Sequence, residues 1–183
     1  MVYKIDIAGL ERELPLCPLN DKLYIAAFVL FGDVELTEHC AAELCKLAPE
    51  HDVMITAESK GIPLICSMAR MLGENRYVLA RKNKKAYMRD IIQYDVDSIT
   101  TANNQTLYLD GYDAEYLRGK RVLIVDDVIS TGGSLLSLEN LVEQSGGKVV
   151  GKMAILAEGE AASRHDIIYL EKLPLFDKDG NAI

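Results

Sequence analysis

Residues 122–134 read VLIVDDVISTGGS. The first four are apolar without alternation, so a strand here is buried on both faces, the condition of a strand inside a helix-covered parallel sheet. Two carboxylates follow at once, Asp126 and Asp127, then a turn of small residues with Gly132 and Gly133. Behind the turn, Leu135, Leu138, Leu141 and Val142 keep helical spacing until Gly146 and Gly147 stop it. Residues 149–156 (VVGKMAIL) form the next strand. Strand, helix and strand joined by short turns define an α/β fold with a parallel sheet flanked by helices. A chain of 183 residues suffices for one such domain over its whole length.

The rest of the chain fits around this unit. Residues 20–31 (NDKLYIAAFVLF) read as a helix capped by Asn20, and Thr37 is the expected cap of a second helix, HCAAELCKLA. VMIT at 53–56 is a short strand, followed by the turn AESKG and a helix over 62–72 that Gly73 closes. YVLA at 77–80 is another strand, with Arg81, Lys82, Lys84, Lys85 and Arg89 crowded behind it. Residues 86–109 form a long excursion, read as a two-stranded flap. Residues 166–176 are the last strand with an apolar end, and the polar tail 177–183 is expected to fray.

Charge and composition remove several classes of function. With 28 acidic and 20 basic residues the net charge is −8, which argues against nonspecific nucleic-acid binding. No apolar run approaches the roughly 18 residues of a membrane span. The N-terminal residues lack the basic-then-apolar form of a signal peptide, so a cytoplasmic protein is expected. Cys17, Cys40, Cys45 and Cys66 contain no CxxC pair and read as reduced thiols.

The chemistry concentrates in two turns at predicted strand ends, where parallel α/β sheets bind ligands. In residues 129–134 (ISTGGS) the glycines admit a close ligand, Ser130, Thr131 and Ser134 supply hydroxyls, and the helix that follows points its free N–H groups into the turn. That combination suits a phosphate monoester. It is neither a Walker A loop nor a dinucleotide fingerprint, since GxxxxGK[ST] and GxGxxG are both absent. Asp126 and Asp127 would repel the anion itself, so they suit uncharged hydroxyls one sugar-length away, or a nearby Mg²⁺. Phosphate beside a diol describes a ribose 5-phosphate. The second turn, ESKG at 58–61, also precedes a helix and carries Lys60, so it suits a second anion on the same sugar. Five cations within residues 81–89 of an acidic chain favour local steering of an anion over a merely solvated surface.

VLIVDDVISTGGS resembles the phosphoribosyl pyrophosphate (PRPP) motif of the type I phosphoribosyltransferases. Within that family, AESKGIPL and YVLARKNKKAYM are similar to the pyrophosphate loop and the basic segment of the adenine/xanthine branch. The resemblance spans about residues 3–176 and implies the family's fold, with a small hood (about 1–20 plus the C-terminal segment) and a flap (about 86–109). It implies transfer of ribose 5-phosphate from PRPP to a purine, adenine giving AMP in the first instance, with release of pyrophosphate. It implies that Asp126 and Asp127 hold the ribose hydroxyls and that Ser130, Thr131, Gly132, Gly133 and Ser134 cradle the 5′-phosphate. Ser59, Lys60 and Gly61 would hold pyrophosphate, with Arg81, Lys82 and Lys85 adding positive charge. Ile129 would touch the base. Mg²⁺ would be bound mainly through PRPP and pyrophosphate rather than at a protein metal site, and a homodimer is expected. Adenine-type members often carry a flap Glu that handles a proton on the base. Residues 100–105 here are TTANNQ, which leaves an oxopurine substrate of the xanthine/hypoxanthine type open and the general base unnamed. A PRPP-sensing regulator without catalysis is the rival from another class, and the acidic balance argues against its DNA surface.

Overall fold

The computed structural model describes residues 1–96 and 105–183. Its first strands are β1 (Val2–Ile7), β2 (Leu10–Pro18) and β3 (Tyr24–Ala26). Then come α1 (Val34–Leu47), β4 (Val53–Ala57), α2 (Ile62–Leu72), β5 (Val78–Ala80), β6 (Ile92–Val96) and β7 (Gln105–Leu109). The chain ends with α3 (Gly111–Leu117), β8 (Arg121–Ile129), α4 (Gly133–Gln144), β9 (Lys148–Glu158) and β10 (Ile168–Leu173).

The buried run at 122–125 lies in β8, the middle of a five-stranded parallel sheet ordered β10-β9-β8-β4-β5. Its side chains divide between the two faces. Leu123 and Val125 pack with Leu44 of α1 and Met68 of α2, while Val122 and Ile124 pack with Leu138 of α4 and Leu107 of β7. All four β8 residues are fully buried, which explains their unbroken apolar run. From β4 the chain steps outward to β5, and from β8 it steps the other way through β9 to β10. The connections therefore diverge at β4 and β8 and open a crevice beyond the carboxyl ends of that pair, the usual ligand position in an open α/β sheet.

The expected helix over 20–31 is absent. The Asn20 side chain accepts the N–H groups of Lys22 and Leu23 in a turn, and Tyr24–Ala26 pairs antiparallel with β2. A continuous apolar run has no polar face to mark its period, and strand pairing decides it here. The next helix begins three residues before Thr37. Asp33 is its cap, accepting from Leu36 N–H at 3.0 Å, and Arg12 from β2 grips the same carboxylate at 2.7 and 3.1 Å. The tail does not fray. Asp177 accepts the N–H groups of Asp179 and Asn181, and Ile183 N–H reaches Leu175 O at 2.9 Å. Phe176 is buried and exchanges two backbone hydrogen bonds with Tyr24. The tail thus joins the small β1-β2-β3 sheet.

β6 and β7 form an antiparallel pair, with Leu107 and Leu109 fully buried. The acid-free stretch at 100–104 lies outside the described residues. The four cysteines are free. Among the described residues no helix is long and apolar enough to cross a membrane.

Candidate active site

The two predicted anion turns meet across the crevice between β4 and β8. A cavity of about 480 Å³ there is lined by Ser59, Lys60 and Lys82 from one side and by Asp126, Asp127, Ser130 and Ser134 from the other. Gly61 lies behind the first turn. A Cβ on it would sit 2.3 Å from Thr56 Oγ1 and 3.3 Å from Asp126 Oδ1, so only glycine lets this turn close against the strand ends. Gly132, at φ +84°, caps α4 without a side-chain hydrogen bond. The first N–H groups of α4 have no capping side chain, and they open on a concavity of about 150 Å³ lined by Ser130, Thr131, Gly132, Gly133 and Ser134.

The acid pair sits inside β8 rather than beyond it, since the strand continues to Ile129. Asp127 N–H donates to Asp126 Oδ1 at 2.9 Å. Lys60 Nζ stands 3.3 Å from Asp127 Oδ2 and 3.4 Å from Phe28 O, tying the first turn to the acids and to the loop after β3. The Lys60–Asp127 approach is close enough for ion pairing, but its angles do not make a hydrogen bond. Asp127 Oδ2 and Thr56 Oγ1 are therefore buried polar atoms without hydrogen-bond partners among the described residues. Such atoms are rare in folded proteins, and Asp127, which lines the cavity, is where a ligand's hydroxyl would satisfy one. Burial, and then the neighbouring Asp127 charge, push the Asp126 carboxyl well above the usual carboxylate range.

The basic segment divides. Lys82 lines the cavity, whereas Arg81 and Lys85 turn to Glu58. Arg81 reaches Glu58 at 3.1 Å and the Tyr87 hydroxyl at 2.7 and 3.0 Å. Burial raises the Glu58 carboxyl, but the Lys82 N–H, Lys85 and Arg81 together hold it below its ordinary range. Among the described residues no cluster of three or more His, Cys, Asp or Glu side chains forms a metal cage.

Ile129 is 3% exposed, packs in the core with Leu135 and Ala157, and lines the small phosphate concavity but neither large cavity. Its neighbour Val128 lines the cavity instead. The alternation that sends Val122 and Ile124 to one face and Leu123 and Val125 to the other shifts past the acids, so Val128 joins the second group and Ile129 the first. Two further contributors go unread in the sequence. One is the loop at 27–29, which lines the cavity beside Ile25 and Ala26. The other is Glu158, the last residue of β9. The strand-end rule that singles out Asp126 singles out Glu158 as well.

The chain belongs to the phosphoribosyl transferase domain family, whose model matches residues 35–175. It is 29% identical over 150 residues to an adenine phosphoribosyltransferase of Acetivibrio thermocellus, covering 80% of this chain and 84% of that one. It is equally, 29%, identical over 160 residues to a hypoxanthine/guanine phosphoribosyltransferase of a Methanocaldococcus species, covering 82% and 78%. The crystal structure of adenine phosphoribosyltransferase from Thermoanaerobacter pseudethanolicus superposes with a TM-score of 0.71 at 22% identity, over 87% of this chain and 95% of that one. That likeness concerns the fold.

Proposed function

We propose that this protein is a purine phosphoribosyltransferase that moves ribose 5-phosphate from PRPP to a purine base, adenine first, giving AMP and pyrophosphate. The observation that carries the reading is the meeting of two anion turns across one acid pair, with Lys60 of one turn 3.3 Å from Asp127 of the other strand end. A sugar carrying a phosphate at one end and a diphosphate at the other fits that order of groups, an anion turn on each side of an acid pair. In the reaction the bond from C1 of the ribose to the diphosphate oxygen breaks. A base nitrogen bonds to C1, and that base gives up a proton.

Asp126 and Asp127 accept hydrogen bonds from the ribose 2′ and 3′ hydroxyls and hold C1 in place as it becomes cationic. Ser130, Thr131, Ser134 and the backbone at Gly132 and Gly133 bind the 5′-phosphate. Ser59, Lys60, Gly61 and Lys82 face the departing pyrophosphate, where negative charge builds. Arg81 and Lys85 stand one carboxylate away, on Glu58, and add charge from behind. The residues suit a divalent cation carried in by substrate, with the acid pair nearby and the diphosphate supplying most oxygens. Mg²⁺ bound there would neutralise charge on the leaving group. The flap pair β6-β7 would exclude water, and the sheet β1-β2-β3 with the tail would hood the base. Four free thiols support a reducing cytoplasm. A homodimer belongs to the same reading, and an active monomer in sedimentation would remove it.

The test is pyrophosphate release from PRPP and Mg²⁺ with adenine, hypoxanthine, guanine, xanthine and uracil in parallel. Release with adenine is the expected result. Release with an oxopurine alone moves the substrate within the purines, a reading that the equal identity to a hypoxanthine/guanine relative supports. PRPP binding without release for any base overturns the enzyme in favour of a sensor.

A further inference from the structure

A second cavity, of about 630 Å³, opens beside the first. Leu23, Ile25, Ala161 and Leu175 give it apolar walls, and Ser130 and Thr131 join it to the phosphate turn. Under the reading above, the phosphate and pyrophosphate ends of PRPP occupy the two turns. The base must approach C1 from the side away from the pyrophosphate. Apolar walls with a few polar groups, Glu158 and Arg164 among them, suit a heterocycle there.

Among the described residues, Glu158 is the only acid that lines both cavities. The other acids of the first cavity are engaged: Glu58 with Arg81 and Lys82, Asp127 beside Lys60, and Asp126 with the Asp127 backbone. Glu158 is half-buried, its side chain makes no capping hydrogen bond to the short 3-10 turn Gly159–Ser163 behind it, and it has no side-chain hydrogen-bond or ion-pair partner among the described residues. Its position is fixed by parallel pairing of β9 with Leu173 of β10. A half-buried carboxylate without a donor is costly unless a ligand supplies one.

We propose that Glu158 determines which base the pocket takes: its carboxylate accepts a hydrogen bond from an exocyclic 6-amino group, so the pocket selects a 6-aminopurine over a 6-oxopurine. Adenine offers an N–H donor at its 6-position. Hypoxanthine and xanthine put a carbonyl oxygen there, and two acceptors facing each other repel. Burial pushes the Glu158 carboxyl upward against the opposing pull of Lys60, in keeping with a site that gains from a donor. This inference rests on the purine-transferase reading and names its substrate class.

The experiment compares adenine, unsubstituted purine and hypoxanthine as acceptors in the wild type, Glu158→Gln and Glu158→Leu. Unsubstituted purine keeps the reacting nitrogens and lacks the amino group. In the wild type, kcat/KM for adenine is expected to exceed that for purine by on the order of 30-fold or more, the worth of a hydrogen bond to a charged group. In Glu158→Leu that ratio collapses to within about threefold, mainly through KM for adenine. Glu158→Gln, which keeps an acceptor oxygen, falls between the two. PRPP affinity measured by titration calorimetry does not fall in either variant, because losing the Glu158 charge near Lys60 favours an anion, and this shows that fold and sugar site are intact. Equal loss for adenine and purine, carried in kcat, overturns the proposal, because it makes Glu158 a proton acceptor or a structural group. Wild-type preference for hypoxanthine over adenine overturns it too, while leaving the purine-transferase reading in place. No turnover with any base strikes the parent reading and this inference together.

Discussion

The sugar-diphosphate side of the crevice is built from two strand ends. Parallel pairing of β4 with β8 sets Ile55 against Ile124, and from there each chain needs only a few residues to place Lys60 and Asp127 3.3 Å apart. The base side is assembled from pieces distant in sequence: β3 and the loop after it, the end of β9, and Leu175 near the tail. The first construction makes the sugar chemistry a property of the sheet itself. The second lets the base pocket change without disturbing that chemistry, and relatives named for adenine and for hypoxanthine/guanine at equal identity fit such a division.

The sharpest way to break the comparison is Asp127→Asn. The substitution keeps the shape but removes the charge beside Lys60 and an acceptor for the ribose hydroxyls. Turnover should fall at least ~100-fold, as losing a transition-state contact of about 3 kcal/mol would require. Pyrophosphate release at near-normal rate would take Asp127 out of the site.

Gly61→Ala should do less and in a different way. Its Cβ would meet Thr56 Oγ1, which is fully buried and cannot swing clear. The pyrophosphate turn must then move outward, and KM for PRPP should rise on the order of 10-fold while base selectivity holds. Adding Thr56→Ala removes the obstructing oxygen and should recover most of the loss, a coupling that distinguishes crowding from general damage. Additive losses in the double variant would contradict the close packing.

These two variants touch residues that the sequence marks plainly, and the reason is physical. A strand buried on both faces, an acid pair and a small-residue turn each leave a local signature, because the chemistry there is made by neighbours in the chain. The readings that fail depend on distant partners. Asn20 has the form of a helix cap, yet the pairing of Tyr24–Ala26 with β2 turns it into a turn residue. The polar tail has the composition of a frayed end, yet Phe176 is anchored on Tyr24 by two backbone hydrogen bonds. Glu158 lies at a strand end like Asp126, but nothing in its own neighbourhood says that an apolar cavity walled by Leu23 and Leu175 opens before it.

The pH dependence of stability probes the sugar side without any substrate. The folded state pushes the Asp126 carboxyl up to about 8, against about 3.9 in an unfolded chain. Between those values the folded protein binds more protons than the unfolded one, so stability falls as pH rises. The melting temperature should decline from pH 5 toward pH 9, and Asp126→Asn should flatten that decline and melt higher than the wild type at the alkaline end. Parallel melting curves for the two proteins would mean that Asp126 ionises freely in the fold.

The smallest expected effect lies on the boundary between the two sides. Ile129 is expected from the family resemblance to touch the base, and it packs with Leu135 and Ala157 of the core. Ile129→Val removes one buried methyl group and should cost about 0.5–1.5 kcal/mol, a fall of a few degrees in melting temperature for a chain of this size. The ratio of adenine to hypoxanthine turnover should not change, because the lost methyl faces the core. Val128→Ala gives the complementary result: it opens the wall of the first cavity beside the acid pair and should raise KM for PRPP more than it lowers stability, since Val128 is only partly buried. If Ile129→Val raises KM for PRPP while Val128→Ala leaves it alone, the side-chain parity past the acid pair is the reverse of the one described.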